Sequence, residues 1–200
     1  MNAEGKVVAQ LEGQRTIEGF KGLLKAGQDF IDTKAKADGG DAPAKVDYFL
    51  RALKLHHFNL ADGQKYRDSL KDLVADQRAK IDALLVVVEM GEVVDSLRKG
   101  KEKDPAKVKE MKAEAGRKFW AMHKAGRIPA EDNSFGNFYS TILDYAEHDK
   151  DIPTFELALK TLQERFPKAP KKFFDAKLEI LEKLKAEKAA PPKDEKKDGK

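Results

Sequence analysis

From Thr16 to Leu184 the apolar residues recur with a helical period almost without interruption, and alternating strand-like stretches are nearly absent. A chain patterned in this way folds as helices packed on helices. Ile17, Phe20, Leu23, Leu24, Phe30 and Ile31 mark the apolar face of a first helix, for which Thr16 is the N-cap. Asp38-Gly39-Gly40-Asp41 breaks the pattern, and Val46, Phe49, Leu50 and Leu53 then define a second helix running to about His56. Asn59 caps a short third helix. Ile81, Leu84, Leu85, Val88, Val93, Val94 and Leu97 describe a long helix from Asp76 to Leu97, apolar enough through its middle to be buried on more than one side.

Beyond it, Asp104-Pro105 pairs a capping residue with a proline at the first helical position. The helix it opens runs through Val108, Met111, Ala115, Phe119, Trp120 and Met122, with Gly126 to close it. Ile128-Pro129, Ile152-Pro153 and Ala169-Pro170 each stop one helix and start the next, because proline disfavours the α conformation in the residue before it yet suits a first turn. The fold class expected is therefore mainly α: antiparallel helical hairpins in a bundle, helical-repeat-like. The pair from Ile152 to Leu184 has about the length of a tetratricopeptide unit, without that family's signature residues.

The exception is Lys6-Val7-Val8-Ala9-Gln10-Leu11, a short β-branched run between Gly5 and Glu12-Gly13, which reads as one N-terminal strand or as an extended lead-in to the first helix. A lone strand leaves two unpaired edges. Such a strand would pair with another copy, giving a homodimer through Lys6 to Leu11, or belong to a sheet missing from this chain.

Composition limits the chemistry. Zero cysteines exclude disulfides, thiolate metal sites and a cysteine nucleophile encoded in the chain. The 39 Lys and Arg against 35 Asp and Glu leave a net charge of +4, with both signs interleaved in runs such as Lys99 to Asp104, a pattern that argues against a nucleic-acid footprint. The longest apolar run, Ala83 to Val88, is far short of the ~20 residues of a membrane span. Met1-Asn2-Ala3-Glu4 opens no signal-peptide pattern, so a cytoplasmic location is expected for the chain as written, and export if a longer parent carries a signal.

Catalytic, cofactor and metal sites are not expected. The glycines form no phosphate-binding loop, and Ser69, Ser96, Ser134 and Ser140 sit in no nucleophile-elbow pattern. His56 and His57, adjacent on a helix, point in different directions and suit a helix C-terminus better than a metal. His148, among the acids of Asp144 to Asp149, reads as a solvated surface. Phe119, Trp120, His123 and Tyr139 are the candidate partner groove, for a peptide or helix of another protein, weighed against the ordinary alternative that these rings are core.

The segment from Glu4 to Gly13, followed by Thr16-Ile17-Glu18-Gly19-Phe20-Lys21-Gly22-Leu23-Leu24, resembles the end of a thioredoxin-family domain, in which a glycine leads into the last strand, a second ends it eight positions later, and an amphipathic helix follows. The resemblance covers roughly residues 4 to 27 and implies three parts: a thioredoxin-fold remnant at residues 1–27, a helical extension of a bacterial type at 28–188, and a disordered charged tail at 189–200. The family's redox chemistry rests on a Cys-x-x-Cys pair and a cis-proline loop that precede this hairpin, so no catalytic residue carries over. Two functions follow as expectations: a non-enzymatic helical scaffold or interaction module, or a fragment of a thiol-disulfide oxidoreductase whose Cys-x-x-Cys domain lies upstream of Met1.

Overall fold

The computed structural model describes residues 5–10, 16–97 and 104–189, and within them eight helices: α1 (Ile17–Asp38), α2 (Ala42–Lys54), α3 (Leu60–Ser69), α4 (Ala75–Leu97), α5 (Pro105–Lys124), α6 (Asp132–His148), α7 (Ile152–Arg165) and α8 (Lys171–Ala189). The expected charged tail falls, after Ala189, outside the described residues, as does the Lys99 to Lys103 charge run. Five of the starts have a capping side chain. The side chains of Thr16, Asp41, Asn59 and Asp104 accept from the backbone N–H of Gly19, Ala44, Asp62 and Ala106 at 3.0, 2.8, 2.8 and 2.9 Å, satisfying donors that a helix N-terminus otherwise leaves orphaned. Asp151 caps α7 twice over, accepting from the Thr154 N–H at 3.2 Å and the Thr154 hydroxyl at 2.7 Å. Pro43, Pro105 and Pro153 occupy first-turn positions, where a missing N–H costs nothing. Pro129, by contrast, lies fully buried in the α5–α6 connection, three residues ahead of α6.

Contacts divide the chain into two compact units: Met1–Ser96 with Arg127–Ala130, and Leu97–Gly126 with Glu131–Lys200. α1 runs unbroken across residues 27 and 28. In the first unit, Phe49 and Leu53 of α2 meet Ile81, Leu84, Leu85 and Val88 of α4, and Phe58, Leu60 and Tyr66 close the cluster. The rings of Phe49 and Phe58 stand edge to face at 5.1 Å, with Tyr66 4.7 Å from Phe49. Each such side chain contributes about 1.5–3 kcal/mol on burial. α4 is buried at Ile81, Leu84, Leu85, Val86, Val88 and Met90, positions that surround the helix rather than striping it. In the second unit α5 packs on α6, α6 on α7, and α7 on α8, over a core that includes Phe119, Phe138, Ile142, Leu143, Phe155, Leu159 and Leu162.

Two local expectations are corrected, and a third holds. The face expected of α1 divides: Phe30 is buried and Leu23 half-buried, whereas Ile17, Phe20, Leu24 and Ile31 stand 72%, 56%, 60% and 43% exposed. The helix carries two adjacent apolar stripes at 100° per residue, and α2 covers one of them. The second helix ends at Lys54, and His56, which adopts a left-handed φ of 56°, lies beyond it. α5 closes at Gly126 as expected: it ends at Lys124 with Ala125 as its C-cap, and Gly126 follows in the left-handed conformation that stops it.

Residues 5–10, the described part of the strand expected from Lys6 to Leu11, take no regular secondary structure, with Gly5 at a left-handed φ of 75°, and Leu11 lies outside the described residues. The lead-in is held from two sides. The Val7 carbonyl and His57 Nε2 are 2.5 Å apart, and Val8 lies against Gly27 of α1, so close that a β-carbon there would be 3.2 Å from a Val8 methyl. His57 thus serves the N-terminal segment and packs edge-on against Phe30 at 5.4 Å, rather than facing a helix end.

Candidate functional site

The four candidate groove residues lie on one hairpin, α5 and α6, of the second unit. Their close approach begins with a residue that has no side chain: Gly116 of α5 lies against the backbone of Thr141 and the β-carbon of Tyr145 on α6. With the axes held this near, rings one turn further along α5 are pressed onto those of α6. Phe119 stacks on Phe138 at 5.2 Å with 15° between planes, and Phe138 stands edge-on to Tyr139 at 5.4 Å. Tyr139 Oη lies 2.9 Å from His123 Nδ1, His123 stacks on Trp120 at 4.7 Å and 11°, and Lys124 Nζ sits 5.9 Å from the centre of the indole. Phe135 completes the set, 4.7 Å from Tyr139.

The structure thus brings Trp120, His123 and Tyr139 into direct contact and ties Phe119 to them through Phe138. Burial separates the four: Phe119 and Tyr139 are core, while Trp120 and His123 are half-buried. The result is an aromatic patch with a buried floor and a partly open edge. Burial lowers the pKa of His123 and raises that of the Tyr139 phenol, so near neutral pH the pair is an uncharged imidazole beside an uncharged hydroxyl. Such a patch can stack against a planar or apolar side chain and offer a polar tip for a hydrogen bond.

A second cluster, on the same hairpin, links residues 30 to 40 positions apart and was invisible to local pattern. Arg117 of α5 donates through Nε and Nη2 to both oxygens of Asp149, at 2.8 and 2.6 Å, and through Nη1 to Glu110 at 3.0 Å. His148 Nε2 faces Glu110 at 3.0 Å and its Nδ1 faces Asp149 at 2.7 Å. The hydrogen bonds from Arg117, with a smaller contribution from His148, hold the Asp149 carboxyl down at about 2 against the cost of desolvation. The fork of Arg117 on Asp149 ties the C-terminal end of α6 to α5, a bidentate geometry that lysine cannot reproduce. The acid-rich segment Asp144 to Asp149, read as merely solvated, is thereby partly structural: Tyr145 also donates to Asp151 at 3.0 Å, across the α6–α7 turn.

Among the described residues no group of three or more His, Asp or Glu is arranged to hold a metal ion, and no helix is long and apolar enough to cross a membrane. Comparison of the chain with protein-family models, curated proteins and solved structures finds no match.

Proposed function

We propose that the chain is a non-enzymatic α-helical scaffold that binds a protein partner, a peptide or a helix, at the open edge of the aromatic patch on the α5–α6 hairpin. The observation that carries this reading is the half-buried Trp120 stacked on an uncharged His123, above a floor of buried rings. Aromatic anchors of this kind are enriched where proteins meet, because they present a large, rigid surface with a polar handle. A photo-crosslinking residue placed at Trp120, with irradiation in cells of the source organism, tests it. A discrete adduct that is absent when the same residue replaces exposed Lys160 of α7 supports the reading; identical adducts from both positions overturn it.

A second reading rests on the N-terminal lead-in. Val7 is exposed, and its carbonyl meets a side chain, His57 Nε2, where a strand within a sheet would meet a neighbouring strand. On this reading the chain is the C-terminal part of a thioredoxin-like oxidoreductase, the segment Lys6 to Leu11 pairs within the parent's sheet, and the compartment is the parent's. The intact mass of the native protein decides: a larger product bearing Cys-x-x-Cys supports it, and a mass near 22.4 kDa refutes it.

A further inference from the structure

We infer that α8 is a strap that opens separately from the rest of its unit, and that Lys177, set in its docking seam, is the residue that keeps it loose. The helix packs on α7 and α6 and buries little for its length. α5, α6 and α7 each bury five residues, whereas α8, 19 residues long, buries two, Leu181 and Leu184. Phe174, Lys177, Leu181 and Leu184 follow one another at spacings of three and four, which places them on one face as the seam, with half-buried Phe174 at its start. One of these four seam positions therefore carries an ammonium group.

The Lys177 side chain is 18% exposed and lies 3.9 Å from the Asp144 carboxylate of α6, which also lies 4.0 Å from Lys112. A close charge-assisted hydrogen bond is about 2.7–2.9 Å long, so Lys177 gives up much of its water for a distant and shared partner. A lysine within a helix seam fixes the register of docking at a cost in stability. The other ties lie at the rims. Lys185 reaches Glu156 of α7 at 2.9 Å, and Lys150, in the α6–α7 turn, reaches Glu187 at 2.7 Å, with all four side chains at least 43% exposed. Exposed pairs of this kind hold weakly. With two buried side chains, a charged seam and weak rims, α8 belongs to the low-stability end of its unit, and its opening bares the surface it covers on α7 while α5, α6 and α7 remain packed on one another.

Native-state hydrogen exchange of the full chain, read by NMR at the amides of residues 177–184 in α8 and 138–146 in α6, tests this. The α8 amides are expected to exchange about 100-fold or more faster than those of α6. Lys177→Leu should slow exchange in α8 about 10-fold, because the seam gains a buried leucine while Asp144 keeps Lys112. Glu156→Lys, which sets a lysine against Lys185, should speed it about 3- to 10-fold, and adding Lys185→Glu should recover most of that change. Protected α6 amides in the same spectra show that each variant is folded. Exchange of α8 in step with α6 would overturn the inference. So would a Lys177→Leu variant in which α8 exchanges faster or at an unchanged rate, the outcome that follows if the pair with Asp144 holds the helix down.

Discussion

Replacing Gly116 by alanine should destabilise the second unit although alanine is the better helix former. A β-carbon at position 116 falls inside the contact distance of the Thr141 carbonyl oxygen and the Tyr145 β-carbon, neither of which can swing aside as a long side chain would. Overpacking of a rigid contact costs typically 1–3 kcal/mol, and with backbone as the obstacle the upper end applies. The intrinsic preference of a helix for alanine returns about 1 kcal/mol. The net loss is about 2 kcal/mol, which lowers Tm by roughly 10 °C for a unit of about 100 residues. Gly91 of α4 is the control, since nothing lies within 4 Å of its would-be β-carbon. Gly91→Ala should raise stability by about 0.5–1 kcal/mol. Thermal and urea unfolding followed by far-UV circular dichroism measures both, and the fluorescence of Trp120, one turn from Gly116 on α5, follows the affected unit. Should Gly116→Ala melt at or above the wild-type temperature, the close approach of α5 to α6 is not as described.

Three further outcomes are expected. Phe49→Ala empties the centre of the first unit and should cost about 3–5 kcal/mol in urea titrations, while a loss under about 1 kcal/mol would mean the cluster is not tightly packed. His123 is held below its ordinary pKa, so the unfolded chain binds its proton first; the stability this neutral ring contributes is present above pH 6.5 and falls as the pH drops below it, and an NMR titration of the ring with a midpoint at or above 6.5 would contradict this. Asp149 is depressed to about 2, so its stabilisation holds above its ordinary 3.8 and is lost as pH falls from about 4 towards 2. Arg117→Gln should therefore lower stability at neutral pH, with the gap to wild type closing across that acid window; a gap that stays constant to pH 2 would refute the pairing.

Helix starts were the most legible part of the fold, because a cap and the backbone N–H that donates to it lie within three residues of each other. Thr16, Asn59 and Asp104 announce their helices without reference to anything distant, and the structure finds each accepting its backbone donor. The long buried helix was equally readable from its composition. What periodicity cannot tell is which of two apolar stripes a neighbour covers, and on α1 it joined Phe30, which is buried, to Ile17, Phe20 and Leu24, which are not. The aromatic site was half legible: Phe119, Trp120 and His123 are close in sequence, but their relation to Tyr139 depends on the hairpin. The Arg117–Asp149 fork gave no signal, since its partners are 32 residues apart and each sits in an ordinary charged stretch. Gly116 resembled any other helical glycine until its neighbours on α6 were known.

The helices of this protein pack chiefly on the helices next to them in the chain: α1 on α2, α5 on α6, α6 on α7, α7 on α8. Little sequence has to be looped out before such contacts form, so the search for them is short, and chains with this wiring reach the native state in microseconds to milliseconds. Synthesis adds about 5–20 residues each second, several orders of magnitude slower. Each hairpin therefore has time to close as soon as its second helix clears the ribosome, before the next has been made.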